Sequence, residues 1–175
     1  MKHTNKLNVG CGKNIKKGFI NIDIIKLHGV DKVVDLNEFP YPFKSESFDT
    51  ILCSHVLEHL KDLSKVMNEL HRILKKNGRL IIKVPHFTHS GSFADPTHIH
   101  FFGYNTFDYF MKDNSNFDYY FKFSFSKIEK KIIFGKKFAL WNYIIGPIAN
   151  LLPAVYENTP FRIFPAQELH IILIK

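Results

Sequence analysis

The densest group of chemically active side chains is the histidine-rich segment 86–103, HFTHSGSFADPTHIHFFG. Its first fifteen positions hold four histidines and one acid: His86, His89, His98, His100 and Asp95. Imidazole titrates near neutral pH, so such a side chain can remove a proton as a general base, and we predict this role for His86 or His98. His-x-x-His and His-x-His are also metal-ligand spacings, and purely structural hydrogen bonding is a third interpretation. The base interpretation is favoured, with no bound metal predicted.

A second set of polar groups follows four short apolar runs in the first part of the chain. Gly10-Cys11-Gly12 comes directly after the first run, and glycine there lets backbone N–H groups approach a ligand closely. The next three runs end in Asp23, in Asp35-Leu36 and in Ser54-His55. Asp23 is placed like an acid that binds ribose hydroxyls, whereas Asp35 could simply cap a turn. If the runs are parallel strands, these groups converge on one crevice.

The elements that position these groups follow the pattern of an α/β domain. Buried strands are predicted at 6–9, 19–24, 32–34, 48–53 and 79–84, where apolar runs alternate with polar punctuation. Between the last two, apolar residues recur at helical spacing over 63–74, after a cap at Asp62 or Ser64. Lys75 to Gly78 supplies cations and a helix stop.

The second half of the chain differs in texture. A short helix is predicted at 105–111, strand material at 117–134 and a final strand at 168–174. Segment 138–156 has nineteen residues without a charge, close to the ~20 that cross a bilayer. Gly146, Pro147 and Pro153 interrupt it, so we predict a lid or acceptor-side wall rather than a membrane span. Peripheral contact with a membrane is kept as an alternative.

Composition narrows the class of protein. The length of 175 residues fits one domain, and 45% hydrophobic content with 18 Phe supplies a core, which excludes fibrous and disordered classes. The net charge of +8 comes mainly from scattered lysines, which predicts a solvated surface rather than a nucleic-acid partner. Two cysteines cannot staple a secreted fold, and the first ten residues lack the apolar stretch of a signal peptide, so we expect a cytoplasmic protein.

Five segments taken in order resemble a known family. LNVGCG, FINIDI, VVDLNEFPYP, FDTILCSHVLEHL and HRILKKNGRLIIKVP are similar to the successive motifs of class I S-adenosylmethionine-dependent methyltransferases, within the small type-11-like subgroup. The resemblance covers about residues 6–85, and the tail VYENTPFRIFPAQELHIIL is similar to the same subgroup. It implies a three-layer, Rossmann-like α/β fold with a mostly parallel seven-stranded sheet and an antiparallel final strand. The chain is then one domain, 1–175, with a cofactor-binding half at 6–85 and an acceptor-side half at 86–175.

The resemblance also implies roles for single residues. Gly10, Cys11 and Gly12 would wrap the methionine part of S-adenosylmethionine through backbone contacts, and Asp23 would bind the ribose hydroxyls. Asp35 with the Leu36 backbone would read the adenine, and Ser54 with His55 would lie beside the sulfonium. Two departures stand out: Asn14 replaces a third glycine, and only nine residues separate Val9 from Phe19, too few for a full crossover helix.

The predicted reaction is methyl transfer from S-adenosylmethionine to a small-molecule or saccharide-like acceptor. The fourth run is followed by Ser54-His55-Val56-Leu57 instead of an Asn/Asp-Pro-Pro-aromatic turn, and a Pro-Cys nucleophile is absent from the sequence. A hydroxyl, carboxyl or simple amine acceptor is left, and O-methylation is the prediction. The alternative is a non-catalytic cofactor-binding or scaffold subunit with the same fold.

Overall fold

The computed structural model describes residues 5–112, 121–135 and 142–175. Its centre is a seven-stranded sheet, with strands in the order β3-β2-β1-β4-β5-β7-β6. The strands are β1 Lys6–Val9, β2 Ile20–Asp23, β3 Lys32–Val33, β4 Phe48–Ser54, β5 Leu74–Pro85, β6 Lys127–Ile133 and β7 Glu168–Ile174. Strands β1 to β5 pair in parallel, whereas β7 is antiparallel to both β5 and β6. The predicted Rossmann-like α/β fold with an antiparallel final strand is confirmed.

In the described residues the helices are short. They are α1 Leu63–Ile73, α2 Gly91–Ala94, α3 Asn142–Leu151 and α4 Pro153–Asn158, with 3-10 helices at Leu57–His59, Thr106–Phe110 and Pro160–Ile163. Within residues 5–112, the connection from β1 to β2 contains no helix, as the short spacing between Val9 and Phe19 predicted. A compact loop at the end of β1 therefore replaces the usual first crossover helix.

Helix α1 forms where the apolar periodicity predicted it. Asp62 caps it by accepting a hydrogen bond from the Lys65 N–H at 3.0 Å, and Val66, Met67 and Leu70 are buried against the sheet. The predicted stop at Lys75–Gly78 is wrong in one respect, because β5 already begins at Leu74. The turn is held inside the strand as an irregularity, with Asn77 at a positive φ of 59° and its N–H donating to the Lys175 carbonyl. Pairing of Leu74 with Phe48 of β4 therefore starts the strand ahead of the residues predicted to stop the helix.

The edge strand β6 is covered by α3. The Asn150 side chain accepts from the Ile132 N–H at 2.8 Å and donates to the Ile132 carbonyl at 2.9 Å, in the manner of a neighbouring strand. Of the strand predicted at 117–134, residues 127–133 form β6, and positions 117–120 lie outside the described residues. The side-chain amide thus blocks this stretch of the sheet edge.

The apolar segment predicted at 138–156 is divided between two helices in its described part. Pro147 lies inside α3, and Pro153 begins α4; positions 138–141 lie outside the described residues. Among the residues that the structure describes, none of the helices has the length and apolarity to cross a membrane. Helix α4 instead reaches the end of β5, where Tyr156 is buried beside His86.

Candidate functional site at the carboxyl ends of the strands

The turn after β1 has a shape that only glycine can adopt at its first position. Gly10 has a φ of +60° and Gly12 a φ of +50°, both in the left-handed region. A Cβ built on Gly10 would lie 2.3 Å from Val56 Cγ2, which is far inside contact distance. The intervening Cys11 is buried and its N–H donates to the Ile22 carbonyl at 3.0 Å, so the turn stays tied to β2. The backbone here is fixed and closely approachable.

Asp23, the last residue of β2, bends over this turn. Its Oδ2 accepts from the Gly12 N–H at 2.7 Å, and its Oδ1 accepts from the Ile25 N–H at 3.1 Å. A carboxylate offers about four lone-pair directions, so two hydrogen bonds leave acceptor capacity for a further donor. The carboxylate is therefore oriented by its own backbone surroundings before any ligand arrives.

Asp35 and Leu36 lie after β3 in a braced loop. Asp35 Oδ1 accepts from the backbone N–H of Asn37 at 2.8 Å, so Asp35 does cap a turn. Its other oxygen, Oδ2, takes no part in this bond. The Tyr41 hydroxyl donates to the Leu36 carbonyl at 2.9 Å. Burial raises the pKa of Tyr41, which keeps its hydroxyl protonated as a donor.

Glu69 and Arg72 of α1 hold the same loop from outside. Glu69 accepts from the Tyr41 N–H at 2.7 Å, and the Arg72 guanidinium donates to Glu69 and to the carbonyls of Tyr41 and Phe43. Hydrogen bonds from Arg72 lower the pKa of Glu69 despite its burial. The loop that carries Asp35 is thereby fixed to the helix layer.

Ser54 ends β4, and His55 follows it in a strained conformation. His55 has a φ of +52°, unusual for a residue with a side chain, and its N–H donates to the Lys83 carbonyl at 2.9 Å. Its ring lies between two acids, with Nδ1 3.5 Å from Glu58 Oε1 and Nε2 3.4 Å from Glu168 Oε1. The adjacent Glu58 carboxylate, followed by the charge of Glu168, raises the pKa of His55. The site thus carries a cation-favouring group directly after β4.

The two predicted bases of the histidine-rich segment lie in different surroundings. His86 is fully buried, with Nδ1 2.9 Å from Thr88 Oγ1 and Nε2 3.0 Å from Glu157 Oε1 in α4. Glu157 also accepts from the Tyr104 N–H at 2.7 Å. Both ring nitrogens of His86 are therefore engaged in joining the end of β5 to α4.

His98 lies instead beside the 3-10 helix that follows β4. Its ring meets the ring of His59 edge-on, with 4.7 Å between the centroids, and its Nδ1 lies 3.1 Å from the Ser92 carbonyl. The histidine-rich segment is fixed there because the N–H groups of Ile99 and His100 both donate hydrogen bonds to the Glu58 carbonyl, at 2.9 and 3.3 Å. The structure thus places His98 next to His59 and Glu58, whereas His86 contacts Thr88 and Glu157.

Glu58 is the residue that sequence reasoning missed. It is 1% exposed, and neither of its carboxylate oxygens has a hydrogen-bond partner in the described part of the chain. With His59 and His98 it forms a group of three potential ligand atoms that all lie within 4.8 Å of one another. The available signal was an acid and a histidine, Glu58-His59, placed four residues after a strand end. The spacings His-x-x-His and His-x-His within 86–100 are not what assembles the group.

Comparisons with known proteins identify the family of the chain. Residues 12–82 match the model of a methyltransferase domain of type 11. The uncharacterized protein MJ0638 of Methanocaldococcus jannaschii is 30% identical over 172 residues, covering 87% of this chain and 72% of that protein. The uncharacterized methyltransferase YcgJ of Bacillus subtilis is 32% identical over 69 residues, covering 33% of this chain and 27% of that protein.

Solved structures share the fold. A SAM-dependent methyltransferase from Archaeoglobus fulgidus superposes with a TM-score of 0.64 at 20% identity, covering 97% of this chain and 85% of that one. A Haloferax volcanii protein solved with the Trm112 methyltransferase activator gives a TM-score of 0.56 at 14% identity, covering 97% and 81%. The strand order and these structural matches define a class I S-adenosylmethionine-dependent methyltransferase fold. Within that class the chain belongs to the type-11 methyltransferase family, whose cofactor is S-adenosylmethionine, as the sequence predicted.

Proposed function

We propose that the protein transfers the methyl group of S-adenosylmethionine to a hydroxyl group of a small-molecule or saccharide-like acceptor. The observation that carries the proposal is the contact between Asp23 and Gly12, at 2.7 Å. It places a carboxylate directly above a glycine turn at the end of β1, in a fold whose ligands bind at the carboxyl ends of the strands. Such an acid is the group that holds two neighbouring ribose hydroxyls.

The remaining strand ends fit the other parts of the cofactor. Gly10, Cys11 and Gly12 form a turn with no room for a side chain at its first position, and its backbone is suited to the methionine part. Asp35 has a carboxylate oxygen outside its turn-capping bond, suited to the adenine amino group, beside the Leu36 backbone. Ser54 and His55, at the end of the central strand β4, would lie nearest the sulfonium. These assignments follow the family resemblance position by position.

In this reaction the main task of the protein is to align the acceptor oxygen with the methyl group and the sulfur. An acceptor oxygen uses a lone pair to form the new C–O bond as the C–S bond breaks, and the sulfonium becomes a neutral thioether. Holding the reactants in line can account for roughly 7–11 kcal/mol of the barrier. The acceptor oxygen must also lose its proton, and His98 is better suited than His86 as the base, because both nitrogens of His86 are engaged in buried hydrogen bonds.

A cofactor-binding subunit that acts with a partner is the second candidate. Helix α3 and the end that leads to α4 expose large apolar side chains: Tyr143 at 76%, Ile144 at 65% and Leu151 at 78%. Such a surface favours contact with a protein partner or a membrane. The Haloferax volcanii neighbour was solved in complex with an activator protein, and this supports a protein partner as the second hypothesis.

Calorimetric titration with S-adenosylhomocysteine tests the cofactor site. The wild type should bind, and Asp23→Asn should bind at least about tenfold more weakly, because charged hydrogen bonds of about 1.5–3 kcal/mol are lost. Asp49→Asn is the matched control, since Asp49 lies near the start of β4, at the opposite end of the sheet. Equal affinities for wild type and Asp23→Asn would contradict the assignment.

Transfer of a labelled methyl group separates the enzyme from the scaffold. Labelled S-adenosylmethionine is incubated with pools of hydroxyl, carboxyl and amine acceptors, and label in a hydroxyl-bearing product supports the proposed reaction. Label confined to amine or carboxyl products would correct the acceptor atom. Tight S-adenosylhomocysteine binding without any transfer, alone or with a copurifying partner, would favour the subunit hypothesis.

A further inference from the structure

The Glu58 carboxylate is buried without a matching donor. Glu58 is 1% exposed, and neither Oε1 nor Oε2 has a hydrogen-bond partner among the described residues. Its Oε1 makes an ion contact with His55 Nδ1 at 3.5 Å, which is not a hydrogen bond. A buried carboxylate without hydrogen bonds is costly unless a cation accompanies it. The contact with His55 reaches only Oε1, so Oε2 is left for a further positively charged partner.

Two imidazoles lie next to this carboxylate and supply further ligand atoms. One ligand atom each from Glu58, His59 and His98 lies within 4.8 Å of the other two, a spread that small rotations of the side chains can close around one ion. His59 and Glu58 belong to the 3-10 helix after β4, whereas His98 comes from the histidine-rich segment. Backbone hydrogen bonds from Ile99 and His100 to the Glu58 carbonyl hold the two pieces together.

The hydrogen bonds of each imidazole fix which nitrogen is free. His98 Nδ1 faces the Ser92 carbonyl, which only accepts, so Nδ1 carries the proton and Nε2 keeps its lone pair in the neutral ring. The Thr97 hydroxyl donates to Asp95 Oδ1 at 2.6 Å and therefore accepts from His59 Nδ1 at 2.9 Å. His59 Nε2 is then a lone-pair donor as well. Metal-ligating histidines are oriented in this way by carbonyl or carboxylate partners.

We propose that Glu58, His59 and His98 bind a divalent transition-metal ion of the Zn²⁺ class. Two imidazoles and one carboxylate suit such ions, whereas Mg²⁺ and Ca²⁺ prefer oxygen donors alone. Three protein ligands leave coordination positions open, as in catalytic rather than structural zinc sites. Asp95 Oδ2, 3.7 Å from His98 Nε2, adds negative charge beside the ion.

The role of the open coordination position rests on the proposed function. An oxygen of the acceptor would coordinate there, and the ion would lower the pKa of the hydroxyl so that its proton leaves to solvent water. The oxygen lone pair then forms the C–O bond as the C–S bond of the cofactor breaks. When the ion is bound, His98 acts as a metal ligand and not as the base. The proton of the acceptor hydroxyl is then lost with the help of the metal ion instead of being transferred to His98.

Metal binding by the full chain is the first test. After treatment with a chelator and its removal, the wild type is titrated with Zn²⁺ by calorimetry and with Co²⁺ by visible absorption. The wild type should bind one ion per chain, and His98→Ala and Glu58→Gln should each bind at least about tenfold more weakly. His89→Ala is the matched control, because His89 belongs to the same segment but lies outside the group, and it should bind like the wild type. Binding that is absent in the wild type, or equal in wild type and His98→Ala, overturns the proposal.

A second set of measurements separates folding and cofactor binding from metal binding. Thermal unfolding of each variant shows whether it is folded; if Glu58→Gln is not, Thr97→Ala replaces it, and this change should also weaken the ion because Thr97 orients His59. S-adenosylhomocysteine affinity should be unchanged in His98→Ala. If the wild type binds the cofactor but no metal ion, only the proposed metal site is contradicted. If it binds the metal ion but not the cofactor, the proposed function is contradicted.

Discussion

Gly10 and Val56 approach so closely that the turn after β1 has no room for a side chain. An ideal Cβ on Gly10 would lie 2.3 Å from Val56 Cγ2 and 2.8 Å from Val56 Cβ, so rotation of the valine cannot relieve the collision. Gly10→Ala should lower the free energy of unfolding by at least about 2 kcal/mol, because the left-handed φ alone costs roughly 1–2 kcal/mol. Urea unfolding measures this loss, and S-adenosylhomocysteine affinity should fall with it.

Gly12→Ala is the matched comparison for stability. Gly12 has a similar φ of +50°, but a Cβ there would meet nothing within 4 Å. The variant should lose only the conformational part, about 1 kcal/mol, and remain clearly more stable than Gly10→Ala. Equal losses in the two variants would show that the contact with Val56 has no part in the requirement for glycine.

Arg72 should be needed as arginine rather than as a positive charge. Its guanidinium donates to both oxygens of Glu69 and to two carbonyls of the loop that carries Asp35, a set of bonds that an ammonium group cannot reproduce. Arg72→Lys should lower the free energy of unfolding by about 2 kcal/mol. Because Tyr41 in the same loop supports Leu36, S-adenosylhomocysteine affinity should fall too, as calorimetry would measure.

Arg79→Lys provides the control for this substitution. Arg79 is exposed on β5, so the same change of side chain should leave both the free energy of unfolding and the affinity almost unchanged. If Arg72→Lys behaves like Arg79→Lys, the loop does not depend on the two-pronged contact with Glu69.

The elements that local pattern specifies were predictable from the sequence. Strands 6–9 and 168–174 agree with β1 and β7 residue by residue, and the helix predicted at 63–74 is α1, because alternating and helical apolar spacings are strong local signals. The four polar strand ends were also found in this way. Their arrangement at one edge follows from parallel pairing, which needs no further information.

The part of the site that depends on distant contacts was not predictable. His86 and His98 have similar sequence surroundings, but His86 forms a hydrogen bond with Glu157, which lies 71 positions away in the chain. The Glu58-His59 pair alone did not identify Glu58 as a ligand. Its burial and its nearness to His98 depend on how the histidine-rich segment folds back over the end of β4. The early start of β5 has the same origin, because pairing with β4 and β7 decides it.

His86 should prove to be a residue on which the fold depends. His86→Ala removes one of the two hydrogen-bond partners of Glu157 Oε1 and leaves a cavity next to Tyr156, so the free energy of unfolding should fall by about 3 kcal/mol. His98→Ala should change it by less than about 1 kcal/mol while abolishing most methyl transfer. Urea unfolding and labelled transfer, measured on both variants, check the pair. A His86→Ala protein as stable as the wild type would instead return His86 to the role of base.

His71 should make the protein lose stability in mild acid. Burial against Phe123 and Phe125, followed by the charge of Lys175, lowers its pKa to about 4 from 6.5. The unfolded chain therefore takes up a proton as the pH falls through 6.5, whereas the folded protein does so only near pH 4, and stability is lost between these values. Between pH 7 and 5 the loss should be about 1 kcal/mol after allowance for solvent screening. Urea unfolding at both pH values should show this loss in the wild type and in His28→Gln, whose histidine lies on the surface, but not in His71→Gln. An equal pH dependence in all three proteins would rule out His71 as the source.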